Sequence, residues 1–343
     1  MLYGRERQAP VPPGQGRRRR MKDVMNDNDT GEIVAAAAAD DEVREIVCRL
    51  SARRASIAPK YFYDRLGSAL FAAICETPEY YPTRTEAGIL PVAAEATRER
   101  IGPGSTLVDL GAGDCRKADA ILPLLDCSRY VAIDISIGFV RDAVAAIGPR
   151  HPDVVMTALG RDLARDWTLD GDDAPGRRLL FYPGSSIGNF TPELAVAFLR
   201  RARANAGDDG RLLIGVDLVK DRDVLEAAYD DRLGVTAAFN RNVLNHLNRI
   251  AGTDFDLLRW RHVALFNEEL SRIEMHLESC GEQSVTWPGA HRRFADGERI
   301  HTENSYKYTP GRFAGHLAQA GWRVSERWFD ENRWFAVFLA DAV

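Results

Sequence analysis

A series of apolar strands that alternate with helical segments, between residues 104 and 219, constrains the fold of this chain most. Five runs have strand length and are apolar almost throughout: STLVDLGAGD (105–114), RYVAIDIS (129–136), DVVMTALGRD (153–162), RRLLFYPGSSIGNF (177–190) and GRLLIGVDLV (210–219). Continuously apolar strands are typical of parallel sheets, which helices cover on both faces. The helical pattern at 191–207 starts with a Thr cap and a Pro and closes at Gly207. The alternation predicts a doubly wound α/β sheet.

The alternation stops after the fifth strand and resumes only near the C-terminus. The intervening chain contains one long helical pattern (223–252) and two alternating segments (261–270 and 271–279) that predict antiparallel strands. The polar run IHTENSYKYT (300–309) is interpreted as a loop. A last helix (311–321) precedes two strands joined by a short turn, which predict an antiparallel hairpin at the end of the chain.

These breaks predict three parts of the chain. Residues 1–38, rich in Pro, Gly and Arg, are expected to form a disordered leader, and a first helix follows at about 39–54. Two domains are expected after the leader: a substrate-binding α+β domain of residues 39–85 plus 218–306, and a cofactor-binding domain of residues 86–217 plus 307–343.

Composition excludes several classes of protein. Of the 343 residues, 45% are hydrophobic and 28% are charged, as in a soluble globular enzyme. Residues 1–22 carry a net charge of +6, which leaves −11 for the rest of a chain of net charge −5, and this acidic body argues against nucleic acid as a partner. No apolar run reaches the length of about eighteen residues that a membrane helix needs. The five cysteines form no CxxC pair and the seven histidines show no metal-ligand spacing. We therefore expect a cytoplasmic protein without a metal ion, and a monomer.

The first strand ends in a glycine turn, LVDLGAGDCRK (107–117), of the kind that lets a backbone approach a nucleotide-type ligand. Gly111 and Gly113 are present, but the third glycine of a dinucleotide fingerprint is missing. Asp134 closes the second strand about twenty residues on, where a carboxylate can accept both hydroxyls of a ribose. Asp162 and Leu163 follow the third strand and suit the edge and face of an adenine. This spacing predicts an S-adenosylmethionine-dependent methyltransferase; a solvated strand end is the alternative for Asp134 alone.

Seven segments together resemble one family. They are SIAPKYFYDRLGSALFAAICETPEYYPTRTE (56–86), LVDLGAGDCRK, FYPGSSIGNFTP (181–192), GVDLVKD (215–221), LEAAYDDRLGVTAAFNRNVLNHLNR (225–249), RIEMHL (272–277) and IHTENSYKY (300–308). From about residue 40 to its end, the chain is similar to the L-histidine Nα-methyltransferases of ergothioneine biosynthesis. The resemblance implies a class I methyltransferase fold with seven strands, and a second domain for the substrate. It also implies three methyl transfers from S-adenosylmethionine to the α-amino group of L-histidine, which give trimethylhistidine (hercynine) and S-adenosylhomocysteine.

The resemblance further implies roles for individual residues. The implied cofactor contacts are Gly111, Lys117, Asp134, Asp162 and Leu163. The residues implied to hold the carboxylate and amine of the substrate are Tyr80, Asn189 and Tyr229. Those implied at the imidazole are Glu303 and Ser305, with Met275 lining the pocket and Tyr63 near the reacting nitrogen. Arg161 stands where the family pattern usually carries Gly, a departure that concerns the geometry at the adenine.

The chemistry of these residue types agrees with the resemblance. Methyl transfer from a sulfonium is an in-line displacement that needs alignment more than acid–base groups. Asn and Tyr can hold a carboxylate without adding charge, while Glu303 and Ser305 can complement the N–H and the second nitrogen of an imidazole. Three alternatives stay open: a helix cap at Thr302 and Glu303, the same reaction on a tryptophan-like amino acid, and a non-catalytic cofactor-binding module that regulates a partner.

Five other conspicuous side chains are interpreted as structural. Phe62 and Tyr81 lie in aromatic-rich segments and are expected in the core or in turns. Lys220 and Asp221 are expected to form a turn at the end of a strand, and Cys115 is expected to be a small filler in the glycine turn.

Overall fold

The computed structural model describes residues 40–165 and 167–343. The predicted leader, 1–38, and the first residue of the predicted first helix lie outside the described residues. Glu45–Val343 forms one compact unit, and the predicted division into a substrate-binding and a cofactor-binding domain stays a prediction. Within the described chain, no helix has both the length and the apolar character needed to cross a membrane.

Twelve strands lie within residues 40–165 and 167–343. In chain order they are β1 (Ser105–Leu110), β2 (Cys127–Asp134), β3 (Val155–Gly160), β4 (Arg178–Tyr182), β5 (Arg211–Asp217), β6 (Trp260–Asn267), β7 (Arg272–Ser279), β8 (Gln283–Trp287), β9 (Ala290–Phe294), β10 (Arg299–Tyr306), β11 (Trp322–Phe329) and β12 (Phe335–Ala342).

Nine α-helices occur in the same described ranges, besides short 3₁₀ turns. They are α1 (40–51), α2 (Arg65–Cys75), α3 (Tyr81–Ile101), α4 (Arg116–Ile121), α5 (Ile137–Ile147), α6 (Pro192–Ala206), α7 (Arg222–Tyr229), α8 (Val235–Ile250) and α9 (Pro310–Gln319). The helix predicted at 191–207 is α6: the Thr191 side chain accepts a hydrogen bond from the Leu194 amide, and the chain leaves the helix at Gly207 with φ +79°.

A seven-stranded sheet has the order β11-β12-β5-β4-β1-β2-β3. Strands β1 to β5 run parallel, whereas β12 pairs antiparallel with both β5 and β11. The predicted doubly wound sheet with an antiparallel C-terminal hairpin is therefore confirmed. The strand order reverses at β1, which lies between β4 and β2, and in such sheets ligands bind at the carboxyl ends of the strands beside this reversal.

Strand β1 explains why the central strands are apolar throughout. All six of its residues are buried, because helices cover both faces of the sheet. Leu107 packs in the cluster under α3, α4 and α5, whereas its neighbour Val108 packs in the opposite cluster, with Phe198 of α6 and Phe313 of α9. Successive side chains of a strand point to opposite faces, so every residue of β1 packs against an apolar layer.

The long helical pattern at 223–252 is two helices rather than one, so that part of the prediction is wrong. The carboxylate of Asp231 accepts hydrogen bonds from the amides of Val235 (3.0 Å) and Thr236 (2.7 Å), and these bonds start α8. Gly234 adopts φ +73°, which glycine reaches without steric cost. The break lets both α7 and α8 pack on β6 and β7.

A three-stranded antiparallel sheet, β10-β7-β6, and the hairpin β8-β9 complete the fold. The two predicted antiparallel strands are β6 and β7, which confirms that prediction. The interpretation of IHTENSYKYT as a loop is wrong, because most of this run is β10, which pairs with β7. Its buried positions Thr302, Glu303 and Ser305 are polar, so the apolar alternation that reveals a strand is absent.

Candidate active site

The chain leaves β1 through a turn that needs glycine at two positions. Gly111 and Gly113 have φ of +74° and +54°, in the left-handed region. Next to them, Cys115 is buried, and burial raises the pKa of its thiol to about 12, which agrees with a small filler. The carboxylate of Asp134, at the end of β2, accepts hydrogen bonds from the amides of Gly113 (3.0 Å) and Ser136 (2.9 Å). The glycine turn and this acid are thus held together at the sheet edge.

The other predicted adenosine contacts follow β3 at the same edge. Asp162 accepts a hydrogen bond from the Ala164 amide at 2.9 Å, and Leu163 packs partly buried against the core. The Arg161 amide donates to the carbonyl of Asp134 at 3.0 Å, while its exposed guanidinium donates to the Gly160 carbonyl. Each oxygen of Asp134 accepts one backbone amide and keeps a lone pair, which fits the two hydroxyl donors of a ribose.

Lys117 connects this edge to a second region. Its ammonium lies 2.6 Å from a carboxylate oxygen of Glu86, which is fully buried on α3. The two oxygens of Glu86 also accept the amide of Gly184, at 2.8 and 2.9 Å. Gly184 follows β4, so the carboxylate joins the loops that leave β4 and β1. A Cβ at Gly215 would lie 1.9 Å from an oxygen of Glu86, so glycine is required there to make room.

A cavity lies beside Gly184, which is one of its lining residues. All of the predicted substrate residues line it: Tyr63, Tyr80, Asn189, Tyr229, Met275, Glu303 and Ser305. Sequence reasoning missed further lining residues, which are Phe71, Ile74, Ser185, Ser186, Ala228, Thr236 and Phe239. They come from α2, the loop after β4, α7 and α8. Phe71, Ile74 and Phe239 were missed because an apolar residue on an amphipathic helix is first interpreted as core.

Aromatic rings form one wall of this cavity. Phe71 packs edge-on against Tyr63 at 5.7 Å and against Tyr80 at 6.1 Å, and Tyr80 meets Tyr229 at 6.2 Å. Burial raises the pKa of the Tyr63 phenol well above its ordinary value, and the nearby carboxylate of Glu303 raises it further. At neutral pH Tyr63 is therefore a neutral hydroxyl rather than a phenolate.

Asn189 approaches the cavity from the loop after β4. A short 3₁₀ turn, Ser186–Asn189, carries it, and Ser185 before the turn has φ +57°. A Cβ on Gly188 would lie 2.9 Å from the carbonyl oxygen of Tyr306, so glycine lets this turn approach β10 closely. No described group hydrogen-bonds the Asn189 side-chain amide, which leaves its donors and acceptor for a ligand.

Glu303 and Ser305 reach the cavity because β10 contains a bulge. Its pairing with β7 shifts between His301 and Glu303, where Thr302 is the extra residue. The Thr302 hydroxyl donates to the carbonyl of Met275 at 3.0 Å, and Met275 stands opposite Glu303. A bulge changes which side chains face a given side of the sheet, so Glu303 and Ser305 both face inward after it. The alternative of a helix cap at Thr302 and Glu303 is thereby excluded.

Burial changes the chemistry of Glu303. Its carboxyl is 9% exposed, and burial raises its pKa from 4.5 to about 7, although the charge of Lys307 acts in the opposite direction. No described group donates a hydrogen bond to this carboxylate. It lines the cavity as an acceptor without a protein donor.

Comparison with known proteins identifies the family. A family model described as histidine-specific methyltransferase, SAM-dependent, matches residues 42–342. The chain belongs to this family. It is 40% identical to the histidine N-alpha-methyltransferase of Mycolicibacterium smegmatis, over 90% of this chain and 97% of that protein. It is 39% identical to the protein of the same name from Mycobacterium tuberculosis, over 87% and 94% of the two chains. Ergothioneine biosynthesis protein 1 of Neurospora crassa is 30% identical over 81% of this chain and 32% of its own length.

Family membership confirms the resemblance found in the sequence. The chain is an S-adenosylmethionine-dependent methyltransferase, which removes the alternative of a non-catalytic regulatory module. The methyltransferase sheet described above is the one that this family implies.

Sequence reasoning missed a buried ionic cluster beneath the cavity of this methyltransferase. Asp217 at the end of β5 pairs with two lysines, Lys220 and Lys307, and with the hydroxyl of Tyr81. Lys220 lies between the end of β5 and the start of α7, as predicted, but its side chain is 4% exposed and its ammonium binds Asp217, which the sequence did not reveal. Tyr81 is buried as expected, but it is an ion partner as well as core. Asp221 instead caps α7 through the Asp223 amide.

The sequence offered a signal for part of this cluster. Lys307 lies between two tyrosines in the run SYKY. This aromatic surrounding is compatible with burial, although lysine side chains are mostly exposed. The complete burial of Lys307 follows from the bulge, which moves it toward Asp217. Asp217 supplies the partner that a buried charge needs.

Proposed function

We propose that the chain transfers three methyl groups in succession from S-adenosylmethionine to the α-amino nitrogen of L-histidine, giving hercynine for ergothioneine biosynthesis. The observation that carries this proposal is Glu303, a buried carboxylate that faces the cavity without a donor among the described residues. A buried acceptor that lacks a donor costs free energy. Such a group favours a ligand that brings its own N–H, and the imidazole of histidine does so.

The remaining lining residues are proposed to hold the other end of the amino acid. Asn189 can donate to the carboxylate with its free amide, and Tyr80 adds a hydroxyl from the aromatic wall. Tyr63 is neutral, so its oxygen can accept a hydrogen bond from the amine and direct the nitrogen lone pair. Alignment of this kind contributes most of the acceleration in a displacement that needs no acid catalyst.

The chemistry requires a neutral amine at each step. When bound, S-adenosylmethionine supplies an electrophilic methyl group on a sulfonium. The nitrogen lone pair forms the new N–C bond while the C–S bond breaks, and the sulfur keeps the electron pair as S-adenosylhomocysteine. A free amine with a pKa of about 8 is mostly protonated at neutral pH, so one proton leaves before each transfer. After the third transfer the nitrogen has no lone pair, and the reaction stops.

The aromatic wall suits this sequence of products. The nitrogen becomes larger with each methyl group and ends as a quaternary cation. Ring faces attract such cations at separations within about 6 Å, and Tyr63, Tyr80 and Phe71 supply rings around the cavity. A tryptophan-like substrate would fit the rings, but its indole has an N–H and no acceptor nitrogen for Ser305.

Mass spectrometry of the reaction products tests the proposal. Purified protein with L-histidine and excess S-adenosylmethionine should give trimethylhistidine as the end product. L-tryptophan under the same conditions should react far more slowly, and Glu303→Ala should narrow that difference because the group that binds the ring N–H is lost. Histidine that stays unmethylated, or that stops at the monomethyl stage, would contradict the proposal.

Two organisational features accompany this proposed function. We propose that residues 39–85 plus 218–306 form the substrate-binding domain, because most of the cavity-lining residues come from them, and that 86–217 plus 307–343 bind the cofactor. We also propose that the enzyme works as a monomer in the cytoplasm, where thiols stay reduced; its five cysteines are all free.

A further inference from the structure

Lys307 occupies an unusual position directly behind the substrate cavity. Its side chain is completely buried at the end of β10 and pairs with Asp217 at 2.7 Å. Burial favours a neutral amine, but Asp217 and Tyr229 together outweigh it and raise the pKa of Lys307. The lysine is therefore an ammonium group, which has three N–H donors and no acceptor.

All three donors of Lys307 have partners. One N–H points to Asp217, the second to the Ser305 hydroxyl at 2.8 Å, and the third to the Tyr229 hydroxyl at 3.0 Å. Two of the residues that line the cavity are thus bound from behind by one cation. Lys307 does not itself line the cavity.

This arrangement determines where the hydroxyl protons point. Tyr229 donates its proton to Ser305 across 2.7 Å. The oxygen of Ser305 then accepts from both Tyr229 and Lys307, which uses its two lone pairs. Its own proton has no place in this cluster and must point into the cavity. Tyr229, in contrast, directs its proton to Ser305 and keeps one acceptor lone pair, which suits an amine better than a carboxylate.

We propose that Lys307 is a positioning residue that fixes Ser305 as a hydrogen-bond donor to the substrate ring and so sets ring specificity. The inference rests on the proposed function and specifies how that site recognises its substrate. Glu303 accepts an N–H and Ser305 donates to a lone pair, so the site requires a ring with one N–H and one acceptor nitrogen. Neutral imidazole in a single tautomer meets this requirement, and a ring with only an N–H does not.

The main test compares histidine with the two pyrrolylalanines, which keep a ring N–H but have a C–H in place of the acceptor nitrogen. In the wild type, the Ser305 proton faces that C–H and cannot turn to Tyr229, because Lys307 and the substrate amine occupy both lone pairs of the Tyr229 hydroxyl. In Lys307→Met, Ser305 can turn its proton to Tyr229, so the penalty against the analogue falls. The ratio of kcat/KM for histidine to that for the better analogue should therefore drop at least about fivefold.

Lys220→Met is the matched control. Lys220 binds the same carboxylate, Asp217, and removing it causes the same loss of charge, but it touches neither Ser305 nor Tyr229. For Lys220→Met, the ratio of kcat/KM for histidine to that for the better analogue should stay within about twofold of the wild-type ratio. In a Ser305→Ala background, Lys307→Met should no longer change the ratio. An unchanged ratio in Lys307→Met, or an equal change in Lys220→Met, would overturn the proposal.

A second measurement needs no variant. Histidine labelled with ¹⁵N in its ring, bound to the wild-type protein with S-adenosylhomocysteine, should show one protonated and one unprotonated ring nitrogen. A bound imidazolium with both nitrogens protonated would also overturn the proposal. If the wild type does not methylate histidine at all, the proposed function fails instead. If it does, and the ratio of kcat/KM is the same in Lys307→Met, only the role of Lys307 is contradicted.

Discussion

At the scale of single residues, Glu303, the proposed acceptor for the substrate ring, is maintained at the expense of stability. Burial raises its pKa to about 7, so the fold favours the protonated form over the carboxylate. The contribution of this carboxyl to stability is therefore full below pH 4.5, its ordinary pKa, and is lost as the pH rises through about 7. Ligand-free protein at neutral pH thus carries a destabilising charge, which a donor from the substrate would compensate.

The variant Glu303→Gln should remove this cost. Its free energy of unfolding should exceed that of the wild type at pH 8 by up to about 3 kcal/mol, and the difference should shrink toward pH 5. Urea unfolding of the ligand-free proteins at both pH values measures it. Glu331→Gln, at an exposed position, is the control and should show no such change with pH. A difference that is equal at pH 5 and pH 8 would mean that Glu303 is not held in its protonated form by burial.

At the scale of elements, the start of α8 determines one side of the cavity. Thr236 and Phe239 lie in the first turns of this helix and line the cavity. Asp231 is 4% exposed and holds the first turn through two backbone amides. Side-chain caps of this kind stabilise a helix by satisfying amides that have no partner within it.

The variant Asp231→Ala should lower the free energy of unfolding by about 1–2 kcal/mol. It should also weaken histidine binding more than binding of S-adenosylhomocysteine, because the predicted cofactor residues lie elsewhere, after β1, β2 and β3. Asp231→Asn keeps a capping oxygen and should recover most of the stability. Denaturant unfolding and isothermal titration check both effects, and an equal loss of affinity for the two ligands would refute the link between the cap and the cavity.

The elements also show what can be predicted from sequence. Apolar runs revealed β1 to β5. Strands β1, β4 and β5 are buried almost throughout, whereas the edge strand β3 is only partly buried but is still apolar enough to be recognised. The break at Asp231–Gly234 is also visible in the sequence, as an acidic residue and a glycine. The helical periodicity of the residues on both sides nevertheless favoured one continuous helix. Strand β10 could not be found in this way. The two residues that it turns to the cavity, Glu303 and Ser305, are polar, so its side chains lack the apolar alternation that identifies a strand.

At the scale of the whole molecule, Glu86 connects two sites whose residues lie in separate segments of the sequence. Lys117, a predicted cofactor contact, and Gly184, which lines the cavity, both bind its carboxylate. Nothing in the helical pattern of α3 distinguishes Glu86 from a solvent-exposed glutamate. Its burial depends on Gly215, which is distant in the sequence and leaves room for the carboxylate. Long-range contacts of this kind cannot be predicted from local patterns.

This connection predicts that the two ligands affect each other. Histidine should bind more tightly in the presence of S-adenosylhomocysteine, and S-adenosylhomocysteine should bind more tightly with histidine by the same factor. Glu86→Gln should reduce this factor, because a neutral amide holds the Lys117 ammonium less strongly. Isothermal titration with and without the second ligand measures it. Glu95→Gln, exposed on the same helix, is the control, and a factor unchanged by Glu86→Gln would exclude Glu86 as the coupling residue.

The bulge in β10 has a consequence for how enzymes of this kind can diverge. The two positions proposed to bind the ring, 303 and 305, lie on a strand held by main-chain bonds, and Asn304 between them faces the other side. A new side chain at either position leaves the backbone of the sheet intact, so substrate preference can evolve through single substitutions. The loss or gain of one residue near Thr302 instead reverses the facing of part of the strand. We therefore expect variation in preference to accumulate by replacement at these positions and not by change in the length of this segment.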